Sequence, residues 1–89
     1  MITAHARIRM RQRSVSKRVL ELLLSYGSSQ HDHHGAEIFH FDRAAIRRLA
    51  RTGDCSVIQR LASRRRTYAV VSRGQVITVG YRRKRIRRH

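Results

Sequence analysis

The chain has 89 residues, and its 21 Lys and Arg against five Asp and Glu give a formal net charge of +16. This length predicts one domain, residues 1–89, and the apolar content of 40% is too high for a disordered basic tail. The sequence lacks the run of about 18 apolar residues that a membrane span needs, and its start lacks the apolar core of a signal peptide. Cys55 has no second cysteine for an internal disulfide. We therefore expect a cytoplasmic protein with no membrane partner.

The positive charge indicates which partner the protein has. Self-repulsion destabilises a compact domain with this net charge unless something negative lies close to it. Nucleic acid is the usual counterpart, because each neutralised phosphate releases condensed counterions. All but two of the basic residues are Arg, whose planar guanidinium binds phosphate in a bidentate manner and stacks on bases.

The first segment, Thr3 to Arg13, fits two structures. Its apolar residues alternate with polar ones, which favours a strand. A helix capped by Thr3 would instead place Ala6 and Met10 on one stripe and His5 and Arg9 on another. Periodicity alone leaves both structures open.

The middle of the chain has clearer signals. Ser16 is a good helix N-cap, with Val15 able to pack on Leu20, and Gly27 predicts the end of that helix. Residues 28–35 are polar and predict a loop. Residues 36–41 carry Ile38, Phe39 and Phe41, which favours a strand covered on both faces. Asp42 predicts the cap of a further helix that has Ala45, Ile46, Leu49 and Ala50 on its apolar side and ends at Gly53.

Asp54 predicts a short helix with Val57, Ile58 and Leu61 facing inward, before two closing strands. These strands are residues 67–72 and 75–82, and Arg73-Gly74 between them indicates a hairpin. Residues 82–89 form a basic C-terminal strand end and tail. The predicted fold class is α+β, with helices packed on one face of a short antiparallel sheet and the other face free for a ligand.

The opening residues carry a family resemblance. His5-Ala6, Arg9-Met10, Arg13 and Val15-Ser16 resemble the "HAxxRMxxR" signature of a bacterial domain-of-unknown-function family. Its members begin with this segment as a helix and end in a short antiparallel sheet, as 76–86 would here. That family is similar to the RelE and BrnT toxins, small basic ribonucleases of toxin–antitoxin pairs. In its members, the positions of Tyr81 and Ser14 are often His and Gly.

The resemblance implies a RelE/BrnT-like fold and a metal-independent endoribonuclease acting on mRNA, including mRNA on the ribosome, with no cofactor. RNA cleavage needs a base for the 2′-hydroxyl, cations for the phosphorane and an acid for the leaving oxygen. The resemblance assigns these roles to His5, Arg9, Tyr81 and Arg82. Arg13 would bind RNA together with a set of tail residues, namely Arg83, Lys84, Arg85, Arg87 and Arg88. An acidic antitoxin would be the protein partner.

Other interpretations of these residues stay open. The same charges suit a non-enzymatic nucleic-acid-binding protein. The His31-Asp32-His33-His34 run has metal-ligand chemistry, but adjacent residues in a loop seldom enclose an ion, so we expect no metal. His40 either points at the active face or is buried against a backbone carbonyl. The Arg43, Arg47, Arg48 and Arg51 face is either solvated or lies along RNA or an acidic partner.

Overall fold

The computed structural model describes residues 1–32, 34–52 and 65–82, which contain three helices and four strands. In chain order these are α1 (Ala4–Gln12), α2 (Lys17–Tyr26), β1 (Ser28–His31), β2 (Ala36–His40), α3 (Arg43–Ala50), β3 (Thr67–Ser72) and β4 (Gln75–Tyr81). The strands form one antiparallel sheet in the order β1-β2-β3-β4. This confirms the predicted α+β class.

Each described helix begins at a side-chain cap that the sequence predicted. The oxygens of Thr3, Ser16 and Asp42 accept hydrogen bonds from the backbone N–H three residues further on, at 3.2, 3.1 and 2.8 Å. These bonds satisfy donors that a helix start otherwise leaves without a partner. Thr3 therefore starts a helix, so the strand alternative for the first segment is wrong.

Gly27 ends α2 as predicted, but for a different reason than expected. Glycine commonly ends helices in the left-handed conformation, whereas Gly27 has an extended backbone with φ of −66°. A Cβ atom at this position would collide with the carbonyl oxygen of Leu23. The close approach of the chain to the last turn of α2 therefore requires glycine here.

The helices pack on one side of the sheet, which we call the helix-facing side. Ala6 and Met10 of α1 are buried, and α1 contacts β4, while α2 contacts β2, β3 and α3. The core also contains Leu20 and Leu23 of α2 and Leu49 of α3, each at most 1% exposed. From the strands it takes Ala69, Val76 and Val79. Ala50, which the sequence placed on the apolar side of α3, is exposed.

The first half of the predicted polar loop at 28–35 is a strand, so that prediction is wrong there. Ser28–His31 pairs antiparallel with β2. Asp32 closes the connection, because its carboxylate accepts hydrogen bonds from the N–H of His34 at 2.8 Å and of Ala36 at 3.1 Å. Gly35 has φ of +85°. An edge strand packs on one neighbour only, so polar residues suffice to form it.

The β3–β4 hairpin has the predicted two-residue turn. Arg73 and Gly74 both have positive φ, +52° and +75°, as the tight turn that matches strand twist requires. The pairing register shifts by one residue beyond Val71, which is opposite Val76, whereas Val70 is opposite Thr78. Ile77 is the extra residue of this bulge, and it changes which β4 residues share a face.

The outer edge of β4 is covered by another part of the chain. Residues at the start of the chain line the edge of β4. Val76 accepts a hydrogen bond from the N–H of Thr3 at 3.0 Å and donates its own N–H to the carbonyl of Met1 at 2.8 Å. This covers backbone groups that an edge strand would otherwise expose.

Several predictions lie outside the described residues. These are the helix end at Gly53, the short helix starting at Asp54 and the positions of Cys55 and of the tail residues 83–89. The described helices include none that is long and apolar enough to cross a membrane.

Candidate nucleic-acid interface

Helix α1 and its C-cap Arg13 provide three of the predicted site residues. Burial of Ala6 and Met10 against β4 turns the other sides of this short helix outward. His5 and Arg13 are exposed, and Arg9 is half-buried beside the packed stripe. Arg7 and Arg11 lie on the opposite flank and are exposed. Helix α1 therefore presents cations on both sides of its contact with the sheet.

Ser14 follows α1 in the left-handed conformation, with φ of +52°. Non-glycine residues seldom adopt this conformation, because Cβ comes close to the backbone. In the family that the opening residues resemble, glycine is often found at this position. The local geometry is thus one that glycine would occupy with less strain.

Tyr81 lies on the helix-facing side of the sheet. It is opposite Thr67, which is completely buried, and it packs against the core from the end of β4. Because α1 also packs on β4, the structure brings the helix of His5 and Arg9 next to the strand of Tyr81. A site using all three residues would lie at the α1–β4 junction and not on the other face of the sheet.

Arg82 is half-buried where β4 ends. Its backbone N–H donates to the carbonyl of Arg66 at 2.8 Å, and its Nη2 lies 3.5 Å from the carbonyl oxygen of Phe41. Burial lowers the pKa of Arg82, and the positive charge of Arg66 lowers it further, whereas the Asp42 carboxylate raises it. Arginine nevertheless stays protonated in proteins. The positive charge of Arg82 is therefore partly desolvated.

One donor of Arg82 has no acceptor among the described residues. Its Nε is buried and makes no hydrogen bond there. The hydroxyl of Thr67, a completely buried residue, also makes no hydrogen bond with the described residues. A buried donor left without an acceptor costs about 1–3 kcal/mol. An anion placed against Arg82 would remove part of that cost.

Arg48 belongs to the fold and not to the free cationic surface. Its Nε donates to the carbonyl of Tyr26 at 3.0 Å, and its Nη2 donates to Ser28 Oγ at 3.1 Å. Ser28 Oγ in turn donates to Asp42 Oδ1 at 2.7 Å. This chain of bonds ties α3 to the end of α2 and the start of β1. The sequence had grouped Arg48 with the other arginines of α3.

The remaining arginines of α3 form one stripe. Arg43, Arg47 and Arg51 are four residues apart and exposed, so neighbouring side chains lie about 6 Å apart along the helix axis. Like charges at this spacing destabilise a helix by about 0.2–0.5 kcal/mol per pair. We call this set the α3 arginine stripe.

The described cations outnumber the described acids. Residues 1–32, 34–52 and 65–82 contain 14 Lys and Arg and four Asp and Glu. At most four cations can therefore pair one-to-one with an acid there. In the described part of the chain, Arg18 Nη1 and Glu21 Oε2 form an exposed ion pair at 3.8 Å, which contributes little to stability.

The cations are also unevenly distributed along the chain. Residues 19–42 contain no Lys or Arg, and they contain four of the five acidic residues. They form most of α2 together with β1 and β2. The basic residues of the described part therefore lie in or directly beside α1, the start of α2, α3 and the β3–β4 hairpin.

The histidine run has a structural role in the turn before β2. The N–H groups of His34 and Ala36, both bonded to Asp32, hold the pKa of that carboxyl below its usual range. Two other predicted features, His33 and the RNA-binding tail residues, lie outside the described part of the chain; the latter are Arg83, Lys84, Arg85, Arg87 and Arg88. His40 is 6% exposed, in keeping with the buried alternative for this residue.

The second face of the sheet, opposite the helix-facing side, holds His40 together with residues that the sequence did not predict to form a site. Two rows cross it: Ile38, Val70 and Thr78, then His40, Tyr68 and Gly80. None of them belongs to the core cluster. Regular pairing counted from the turn at Arg73-Gly74 would place Tyr68 opposite Val79. Because of the bulge at Ile77, Tyr68 is opposite Gly80 instead.

Comparison with protein-family models, with curated proteins and with solved structures found no match to this chain.

Proposed function

We propose that this protein binds RNA through a cationic surface formed by α1 and the α3 arginine stripe. The observation that carries the proposal is the excess of 14 cations over four acids in the described residues. Arg7 and Arg11 of α1 and its C-cap Arg13 are exposed, as is the whole stripe. A polyanion would neutralise charges for which the chain itself has too few acids.

Binding to RNA, rather than to duplex DNA, is supported by the family resemblance. The signature spans the first helix, and the left-handed Ser14 occupies the position at which members of that family often have glycine. Single-stranded RNA also suits a surface of mixed helices and sheet, because its phosphates and bases are not fixed in a duplex groove.

Equilibrium binding of labelled single-stranded RNA, single-stranded DNA and duplex DNA of one sequence tests the proposal. We expect RNA to bind best, with log K falling linearly against log salt by about 0.7 per phosphate contacted. The variant Ser29→Ala, on the cation-free β1, is the matched control and should bind like the unchanged protein. Failure of all three nucleic acids to bind near physiological ionic strength would overturn the proposal.

A second function has a specific observation in its favour. Because α1 packs on β4, His5 and Arg9 lie on the element next to the strand of Tyr81. We propose that this junction is the site of a metal-independent endoribonuclease with a RelE/BrnT-like fold. His5 would take the proton of the 2′-hydroxyl, whose oxygen attacks phosphorus. Arg9 and Arg82 would stabilise the phosphorane, and Tyr81 would protonate the leaving 5′-oxygen.

The products of that reaction give a direct test. Cleavage should leave a 2′,3′-cyclic phosphate and a 5′-hydroxyl, and it should persist in a chelator of divalent metals. Labelled RNA, free and on ribosomes, should be cut by the unchanged protein and by Ser29→Ala, but not by His5→Ala or Arg9→Ala. Binding without cleavage in every condition would leave the RNA-binding function and remove the nuclease.

The toxin hypothesis makes a further prediction in cells. Expression of the protein alone should arrest bacterial growth, and His5→Ala or Arg9→Ala should relieve the arrest. An acidic antitoxin would compete with RNA, because it would cover the same cationic surface. Growth arrest that persists in both variants would reject this assignment of site residues.

A further inference from the structure

The second face of the sheet carries an aromatic ring in an unusual setting. Tyr68 lies opposite Gly80, and a Cβ atom built on Gly80 would come within 3.0 Å of the Tyr68 Cε1 and Oη atoms. The ring of Tyr68 therefore lies across the glycine backbone, where any other residue would displace it. Tyr68 is partly exposed, so this flat ring has a surface for a ligand.

Two arginines, Arg66 and Arg82, flank the end of the same face, just outside β3 and β4. Arg66 and Arg82 are opposite each other just beyond the Thr67–Tyr81 pair, as the 2.8 Å bond between their backbones shows. Each lies two residues along its strand from Tyr68 or Gly80, which is about 6–7 Å on the same side of the sheet. Like charges placed directly opposite each other destabilise a sheet. An anion between them would attract both guanidinium groups and offset that repulsion.

The buried Nε of Arg82 supports an anion site independently of the charge count. It is a donor that finds no acceptor among the described residues. The Asp42 carboxylate raises the pKa of Arg82 but gives its Nε no hydrogen bond; Asp42 Oδ1 caps α3 and accepts a hydrogen bond from Ser28. An oxygen-rich anion such as a phosphate would supply the missing acceptor with charge-assisted bonds.

We infer that the second face binds one nucleotide of the RNA, with its base stacked on Tyr68 and its phosphate held by Arg66 and Arg82. This inference rests on the proposed RNA binding and assigns it a base-contacting site. Aromatic rings bind unstacked bases without regard to sequence. The neighbouring Ile38 and Val70 extend the apolar surface. The site shares Arg82, at the end of β4, with the proposed nuclease site. Its aromatic ring, Tyr68, lies on the second face, whereas Tyr81 lies on the helix-facing side.

Two oligoribonucleotides of equal length, one normal and one with abasic ribose–phosphate units, distinguish base stacking from phosphate binding. The unchanged protein should bind the normal strand about tenfold more tightly than the abasic strand, from the stacking of one base. Tyr68→Leu should remove that preference and leave binding of the abasic strand unchanged. Tyr68→Phe should keep the preference, because it keeps the ring. Gly80→Ala should reduce it by displacing the ring.

The arginine pair has its own matched control. Arg82→Gln and Arg66→Gln should weaken both strands, whereas Arg73→Asn removes the same charge at the other end of the hairpin and should weaken them much less. Arg73 has positive φ, which asparagine tolerates. Circular dichroism of each variant should show the fold of the unchanged protein.

The results of these experiments distinguish the nucleotide site from RNA binding in general. No binding of either strand by the unchanged protein would reject RNA binding itself. Equal binding of normal and abasic strands, or a preference that survives Tyr68→Leu in a folded variant, would overturn the nucleotide site while RNA binding stands.

Discussion

Arginine has two roles in the described part of this molecule, and hydrogen bonds separate them. Arg48 donates to a backbone carbonyl and to a hydroxyl that is itself bonded to the cap of α3. Arg47, its neighbour, is exposed on the stripe. Arg47 and Arg48 are neighbouring arginines of the same helix. They differ because Tyr26 and Ser28 lie within hydrogen-bonding distance of Arg48.

The variants Arg48→Lys and Arg47→Lys test this distinction at constant charge. A lysine cannot reach both acceptors with a planar fork, so Arg48→Lys should lower the free energy of unfolding by about 0.5–1 kcal/mol. Arg47→Lys should leave it unchanged. Urea unfolding followed by circular dichroism measures both. Equal effects of the two substitutions would show that Arg48 contributes only its charge.

Ser14 has a backbone conformation that favours glycine, so the substitution Ser14→Gly should stabilise the protein. We expect the free energy of unfolding to rise by about 0.5 kcal/mol, because relief of left-handed strain exceeds the entropy that glycine adds to the unfolded chain. Ser25→Gly is the matched control within α2, and it should lower stability by about 0.5 kcal/mol. Thermal unfolding of the two variants should shift the midpoint in opposite directions; a shift in the same direction would contradict the left-handed geometry.

At the scale of elements, the helices were the easier part to predict. Caps are local signals, and Thr3, Ser16 and Asp42 each start a described helix with a short side-chain bond. The strand β1 was missed because its four residues are polar and because, among the described strands, it pairs with β2 alone. Its pairing depends on the Asp32 turn, which joins two segments that local composition does not connect.

The candidate sites were less predictable than the elements that hold them. His5 and Arg9 could be named from the signature, but the face that Tyr81 occupies depends on which side of the sheet the helices cover. The partner of Tyr68 depends on the bulge at Ile77, which a count from the turn does not reveal. Such tertiary facts are not set by local residue patterns.

The α3 arginine stripe makes a prediction that belongs to the whole helix. Replacing Arg43, Arg47 and Arg51 together by Gln should weaken RNA binding and reduce the slope of log K against log salt by up to about 2, since each lost phosphate contact contributes about 0.7. The same variant should be at least as stable as the unchanged protein, because like-charge pairs are removed. An unchanged salt slope would mean that RNA does not lie along α3.

At the scale of the molecule, cations are segregated from acids along the fold. Most of α2, with β1 and β2, carries no Lys or Arg, while α1, α3 and the β3–β4 hairpin carry most of the described positive charge. A partner that is itself a polyanion would approach the cationic elements and avoid the β1 edge. The field of the whole protein would thus orient RNA before any specific contact forms.

The same concentration of charge should make the free protein sensitive to ionic strength. The longest dimension of the molecule is 34 Å, close to the Debye length of about 30 Å at 0.01 M salt and far above that of about 8 Å at 0.15 M. Like charges across the whole molecule therefore repel one another at low salt, and screening should relieve that repulsion. We expect stability to rise by on the order of 1 kcal/mol, or about 4–8 °C in Tm, between these two concentrations. Sucrose at matched osmolality should not reproduce the dependence on ionic strength, and single-stranded RNA added at low salt should raise Tm further through binding to the folded state. A Tm that falls with salt would mean that repulsion among the cations does not limit stability, and a Tm that does not respond to RNA would mean that RNA does not bind the folded state.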